Sequence, residues 1–382
     1  MRVGIITFGG DGGKSGISRY IIKLLEQFDA MANGIEMEVV VYANEQSIFL
    51  SRSERLRPFC YPERMRNPVL NVAWHQLGLP LLCRKRGYEV LFLPAANRRM
   101  PYWVPCPTVG TVHDFSSAHV EGKYDPARMF FIKRVTPVLI RKLNMVLTVS
   151  QSSKNDIVSF CGIPEERIVV TPNGVDLDVY CELDRQQALD RVGSVYGIQA
   201  PYILYVSRIE HPGKNHVRLI QAFDLLKEKA GIPHRLVLAG SKWNRAEEVY
   251  LAASKTRYSA DITFLGFVEG ADLPSLYRGA DLFAFPSLFE GFGMPILEAM
   301  ACGTPVVCSN LSSMPEVAGD AALMFDPYRE QDIADKMERI ITDEAVRKRC
   351  VQKGLERSKK FSWHHTALKT LEVIRRTWEE SR

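Results

Sequence analysis

Short apolar runs rich in β-branched residues recur along the chain, at Val3–Thr7, Glu38–Val41, Val90–Leu93, Thr108–Val112, Val146–Val149 and Ile168–Thr171. Longer stretches of mixed apolar spacing separate most of them and read as helices. Strands alternating with helices predict a parallel, doubly wound sheet. After Asn173-Gly174-Val175-Asp176 the chain turns polar and helical up to about Gly197, a candidate linker. The strand pattern then restarts at Tyr202–Val206 and continues at Leu236–Ala239, Ile262–Leu265, Leu282–Phe285, Pro305–Cys308 and Ala322–Phe325. The second half thus repeats the first in kind, which predicts two α/β domains with a ligand cleft between them. From Ser362 onwards, Trp363, Leu368, Leu371, Ile374 and Trp378 recur at the spacing of an amphipathic helix.

A chain of 382 residues can bury two such cores, and its 46% hydrophobic and 24% charged residues are those of a globular protein. The start, Met1-Arg2 and then Val3 to Phe8, runs into a glycine cluster and lacks the pattern of a signal peptide. No window is apolar for long enough to span a bilayer. The eight cysteines are scattered with no Cys-x-x-Cys pair, which fits reduced thiols in the cytoplasm and neither a zinc site nor a redox dithiol.

Net charge is +5, but its distribution is uneven: between Arg52 and Lys142 sixteen Lys or Arg face six Asp or Glu. Leu56, Phe59, Tyr61 and Met65 lie among these charges, a mixture suited to an anionic membrane surface or a phosphorylated acceptor. A plain solvated basic face is an equal reading. No nucleic-acid-binding motif accompanies the charge, so nucleic acid is not an expected partner.

Four segments carry candidate chemistry. In Phe289-Glu290-Gly291-Phe292-Gly293-Met294-Pro295, a strand ends, a glycine loop follows, and a helix starts at a proline suited to its first turn. Main-chain N–H groups at such a start suit a phosphate or a developing oxyanion. Glu290 and Glu298 bracket the loop and could both meet a ligand resting there, although isolated glutamates at these places are more often an exposed helical acid and a dipole-favoured one. In Tyr205-Val206-Ser207-Arg208-Ile209-Glu210-His211-Pro212-Gly213-Lys214, Arg208 and Lys214 place two cations at the carboxyl edge of a sheet. The stretch Phe8 to Tyr20 contains Gly13-Lys14-Ser15, but the first glycine of a P-loop would fall on Phe8, so the register excludes that motif. Gly13 and Gly16 still belong to a strand, glycine loop and helix start able to approach phosphate. His113 follows an apolar strand in Thr111-Val112-His113-Asp114, where a lone histidine is commonly a hydrogen-bonded structural residue.

The whole stretch from Phe289 to Val307, with both acids, both loop glycines and Ala-x-x-Cys-Gly-Thr-Pro-Val in register, resembles the Glu-x7-Glu signature of retaining glycosyltransferase family 4. That resemblance implies an α/β GT-B architecture of two Rossmann-like domains facing a central cleft. Residues 1–185 would bind acceptor, residues 186–360 would bind the nucleotide-sugar donor, and residues 361–382 would form a helix crossing back to the first domain. It implies that Glu290 binds donor-sugar hydroxyls, that Gly291, Phe292, Gly293 and Met294 present backbone N–H groups, and that Glu298 holds the ribose. Arg208 and Lys214 would neutralise the diphosphate, although Ile209 to Gly213 departs from the commoner family pattern around Lys214. Gly13 and Gly16 would lie on a loop towards donor and acceptor, His113 beside the donor sugar, and Phe267 and Val268 in the loop that cups the base.

On the same grounds no metal and no cofactor is expected, since the cations and amides take the charge of the departing diphosphate. The expected activity is retaining hexosyl transfer, from GDP-mannose or a related GDP-sugar ahead of UDP-sugars, to a glycan or polyprenyl-diphosphate-linked acceptor in surface polysaccharide or O-antigen biosynthesis. The expected place is the cytoplasm, at the inner face of the plasma membrane. Alternatives are a nucleotide-sugar epimerase or phosphorylase of the same fold, and a non-catalytic subunit that binds sugar nucleotide.

Overall fold

The computed structural model describes residues 1–382 apart from 14, 32, 33, 52, 97 and 121–125. The chain forms two compact units. One comprises Met1–Ala118, Pro126–Gly174 and Ser362–Arg382; the other comprises Val175–Phe361 with residues 119–120.

The first unit holds a seven-stranded parallel sheet of β1 (Arg2–Ile6), β2 (Glu36–Tyr42), β3 (Arg57–Tyr61), β4 (Val90–Leu93), β5 (Thr108–Val112), β6 (Met145–Thr148) and β7 (Ile168–Val170), in the order β3-β2-β1-β4-β5-β6-β7. The second holds β8 (Tyr202–Val206), β9 (Arg235–Ala239), β10 (Ile262–Gly266), β11 (Leu282–Phe285), β12 (Val306–Ser309) and β13 (Ala322–Phe325), in the order β10-β9-β8-β11-β12-β13. Val90–Leu93, Thr108–Val112 and Leu282–Phe285 are buried at every position. Such strands are covered on both faces, which is why they read as continuous apolar runs and not as alternation. Strand order reverses at β1 in the first sheet and at β8 in the second. In doubly wound sheets ligands bind beyond the carboxyl ends of the strands at such a reversal. The Gly-rich loop follows β1, and the loop with Arg208 and Lys214 follows β8.

Strand β3 escaped the sequence pattern. It pairs parallel to β2, with Pro58 opposite Val39 and Phe59 opposite Val40. An edge strand tolerates proline and charge because one side needs no partner, so Arg57 and Pro58 disguised it as a basic loop. This corrects the reading of its apolar residues as a lipid-facing set: Leu56 is buried, and Phe59, Tyr61 and Met65 pack against the first unit's core.

The supposed linker is also structural. Asp184 caps the helix Arg185–Tyr196 by accepting from Gln186 N at 2.8 Å, and Gly197 ends it. Arg191 Nε (3.0 Å) and the Tyr196 hydroxyl (2.8 Å) both donate to the Asp272 carboxylate, tying the helix into the second unit. The final helix, Trp363–Glu379, packs against the helix Gly16–Met31 of the first unit. Its Thr366 hydroxyl donates to Pro172 O at 2.6 Å and its Trp378 Nε1 to Glu89 at 3.0 Å. Among the described residues no helix is long and apolar enough to cross a membrane.

Candidate active site

In the second unit, the polypeptide leaving β8 is held close to the sheet. A Cβ on Gly240, after β9, would lie 1.8 Å from Ser207 O, so only glycine fits this approach. Gly240 N in turn donates to Gly266 O at 2.7 Å, joining the ends of β9 and β10. Arg208 emerges at the carboxyl edge, about two-fifths exposed, with its guanidinium 3.5 Å from the buried Glu210 carboxylate and 4.9 Å from the Trp243 ring centroid. Partner and ring together fix the direction of a long side chain, which lowers the ordering cost when an anion binds.

Six residues on, the Lys214 ammonium contacts Glu290 Oε1 at 2.6 Å, and both side chains are 15% exposed. The loops carrying them are sewn together: Leu288 N donates to Gly213 O at 2.9 Å, the Tyr205 hydroxyl donates to Lys214 O at 2.8 Å, and Asn215 Nδ2 donates to Pro286 O at 3.1 Å. Ser312 and Ser313 hydroxyls donate to Glu290 O at 2.6 and 3.0 Å, and Ser313 also reaches Phe292 O at 2.9 Å. Gly293, with φ at 95°, turns the chain into the helix Met294–Ala301. Phe292 is buried, so its part in any ligand contact is limited to its backbone.

Glu298 lies one turn into that helix and is 4% exposed, which removes the reading of an ordinary exposed helical acid. The Tyr277 hydroxyl donates to its Oε2 at 2.8 Å, and Thr304 anchors Tyr277 through its carbonyl at 2.6 Å. A carboxylate is costly to bury and needs good hydrogen-bond donors. Past β10, Phe267 is exposed and Val268 buried, so of the predicted base-cupping pair only Phe267 offers its ring outward.

In the first unit, the loop after β1 carries Gly12 and Gly13 at φ of 67° and 85°. Asp11 braces it, accepting from the Ser18 hydroxyl at 2.6 Å with Arg98 at 3.5 Å. Burial raises the Asp11 pKa, but hydrogen bonds from Ser15 and Ser18 and the charge of Arg98 outweigh it and leave the carboxyl below its usual range. Ser15 caps the following helix through Ser18 N at 3.3 Å, and Gly16 is exposed at its start. Lys14 lies outside the described residues.

His113 sits at the end of β5, buried, with Nε2 2.8 Å from Pro94 O and its ring edge-on to Tyr20 at 4.7 Å. Burial pushes its pKa down to about 4, against the pull of Pro94 O and Asp114. The neutral ring therefore donates through Nε2 and keeps Nδ1 as an acceptor.

Residues 195–357 match the family described as glycosyl transferases group 1, and residues 14–179 match glycosyltransferase family 4. The chain is 32% identical over 373 residues to the O-antigen chain mannosyltransferase B of Escherichia coli, covering 94% of this chain and 96% of that protein. The chain belongs to glycosyltransferase family 4. A second relative of this glycosyltransferase, the serotype-specific mannosyltransferase WbdA of Escherichia coli, is 33% identical over 297 residues, which are 76% of this chain and 35% of WbdA.

Among solved structures, HepE of Anabaena in complex with UDP and glucose superposes with a TM-score of 0.76 at 18% identity, covering 98% of this chain and 99% of that one. Sucrose-phosphate synthase of Thermosynechococcus elongatus does so with a TM-score of 0.77 at 17% identity, over 100% of both chains. These likenesses show the fold class of the glycosyltransferase, GT-B with two Rossmann-like domains.

Of the residues read from sequence, Arg208, Lys214, Glu290, the Gly291–Met294 turn, Glu298 and the Phe267 loop belong to one unit, while Gly13, Gly16 and His113 belong to the other. Sequence reasoning overlooked the contacts that brace the candidate site: Glu210 and Trp243 beside Arg208, the Tyr277 hydroxyl on Glu298, and Ser312 with Ser313 beneath Glu290. The serines follow β12 and Trp243 follows β9, so a search of every strand's carboxyl end would have reached them. Tyr277 lies mid-helix after Asp272 and Leu273, in a segment that resembles the continuation of the family's base-cupping loop, but nothing local pairs it with Glu298.

Proposed function

We propose that this glycosyltransferase moves a mannosyl residue, with retention of configuration, from GDP-mannose or a related GDP-sugar to a glycan or polyprenyl-diphosphate-linked acceptor in O-antigen biosynthesis at the cytoplasmic face of the membrane. The observation that carries it is the Lys214–Glu290 ion pair, 2.6 Å long and set where the loops after β8 and β11 are tied together. It places a cation suited to diphosphate against an acid suited to sugar hydroxyls. Near full-length similarity to an O-antigen chain mannosyltransferase supports the choice of mannose and of pathway class.

In this reading Arg208, Lys214 and the N–H groups of Gly291 to Met294 bind the diphosphate and take up the negative charge that grows on it, so a divalent ion is not required. Glu298 receives the ribose hydroxyls, the loop of Phe267 and Val268 the base, and Glu290 the sugar. In the first unit, His113 keeps Nδ1 as an acceptor suited to a hydroxyl, and Gly13 and Gly16 offer backbone groups. The anomeric carbon–oxygen bond to the diphosphate breaks, the acceptor oxygen bonds to the same face of the oxocarbenium-like sugar, and its proton passes to the departing phosphate oxygen.

The experiment is product analysis with labelled GDP-mannose or UDP-glucose, with and without a polyprenyl-diphosphate-linked glycan and with chelator present. An α-mannosyl product formed only with acceptor and undiminished by chelator is expected. Epimerised donor without acceptor, donor binding without turnover, or abolition by chelator would each overturn the corresponding part.

A further inference from the structure

The helical segment between β3 and β4 is apolar on two sides. It runs through Pro68–Ala73, a wide turn at Trp74–Gly78, and Leu79–Arg86. Its inward side, Trp74, Leu79, Leu82 and Cys83, belongs to the first unit's core. Its outward side presents Val69 (76% exposed), Leu70, Val72, Leu77 (71%) and Leu81 (64%). A surface helix ordinarily turns polar residues outward, and a contiguous exposed apolar stripe marks a contact surface.

Two aromatic residues adjoin the stripe. The Tyr102 backbone N–H donates to Gln76 Oε1 at 2.8 Å, and Gln76 Nε2 donates to Met100 O at 3.0 Å, fixing residues 100–103 against the helix. Tyr102 and Trp103 are both more than half exposed. A cation lies over each ring: Lys142 Nζ 4.9 Å from the Tyr102 centroid and Arg84 Cζ 5.5 Å from that of Trp103. Exposed Arg64 lies in the short turn Glu63–Arg66 that precedes the helix, and exposed Lys85 lies in its last turn. The acid at the near end, Glu63, already has Arg66 at 4.0 Å.

We infer that this face, Val69 to Leu81 with Tyr102 and Trp103, seats the enzyme on an anionic lipid bilayer. Leucine and valine enter the acyl boundary, the Trp and Tyr rings lie at headgroup depth, and Arg84, Lys85 and Lys142 meet lipid phosphates. A second copy of the chain is a poorer occupant. A twofold contact would set these like charges against themselves, whereas anionic headgroups complement them. The docking deepens the proposed use of a lipid-linked acceptor, since it brings the first unit to the surface where such an acceptor resides.

The test is flotation of the full chain with phosphatidylcholine vesicles and with equimolar phosphatidylcholine and phosphatidylglycerol vesicles, alongside sedimentation of the free protein. Co-flotation with the anionic vesicles only, weakened by salt and by Arg84→Gln/Lys85→Gln, is the expected result. Leu77→Glu/Leu81→Glu, at exposed positions, should lower partitioning on the order of tenfold or more while leaving thermal stability and turnover of a water-soluble acceptor unchanged. A blue shift of Trp103 emission, absent in Trp103→Phe, should accompany binding. No flotation, flotation indifferent to Leu77→Glu/Leu81→Glu, or a dimer dissolved by that variant would overturn the assignment. Loss of vesicle binding with GDP-mannose turnover intact refutes the docking face alone. Intact vesicle binding without turnover refutes the proposed reaction alone.

Discussion

Lys214 and Glu290 illustrate how individual side chains are prepared for charge. Each is mostly buried, and each has the other as its partner, so removing one strands its opposite in a poorly solvated place. Lys214→Met is expected to lower kcat by roughly 10²–10³-fold, the usual cost of deleting a preorganised group facing developing charge, in steady-state assays with GDP-mannose. Tyr277→Phe removes the hydroxyl that holds buried Glu298. It should cost about 1–3 kcal/mol in denaturant unfolding and raise the donor KM more than it lowers kcat.

The buried histidines set a pH limit. Burial holds His113 and His75 near a pKa of about 4 and His216 at about 3, whereas unfolded imidazoles protonate near 6.5. Between those values the unfolded chain binds more protons, so stability is fully present above about pH 6.5 and falls as the pH drops towards 4. Urea midpoints measured from pH 7.5 to 4.5 should decline below about 6.5, and His113→Asn should flatten part of that decline.

At the scale of elements, the turn into Met294–Ala301 depends on Gly293 at φ 95°, a conformation that disfavours any Cβ. Gly293→Ala is expected to cost about 1–3 kcal/mol in thermal denaturation and to reduce activity by misplacing the helix start. One polar helix, in the candidate linker, depends on partners remote in the chain. Arg185–Tyr196 reads as a linker because its apolar face is narrow, but Asp272, far along the chain, satisfies both Arg191 and Tyr196. Partners of that kind leave no local trace. Strand β3 was hidden for the opposite reason, since its edge position permits the very residues that argue against a strand.

For the molecule as a whole, chain order and spatial order differ. Residues 362–382 return to the first unit after the second has been completed, and Trp363, Thr366, Thr370, Leu371 and Ile374 are buried in that packing. A chain ending at Phe361 should expose the matching apolar surface of Gly16–Met31. Limited proteolysis should then cut the first unit markedly faster than the second, which keeps its own sheet and core.

Sequence by itself determined the alternation of strands and helices, the two-domain GT-B class and the loops that bear Arg208, Lys214, Glu290 and Glu298. Each of these is written locally, in runs of β-branched residues, glycines at turns and a dense motif spanning one strand, one loop and one helix. Tertiary structure alone decided that Glu298 is buried under Tyr277, that Phe59 and Tyr61 turn inward while Leu77 and Leu81 turn outward, and that Lys214 meets Glu290. Those outcomes depend on which surfaces far apart in the chain come into contact, and burial and pairing belong to the contact and not to the residue.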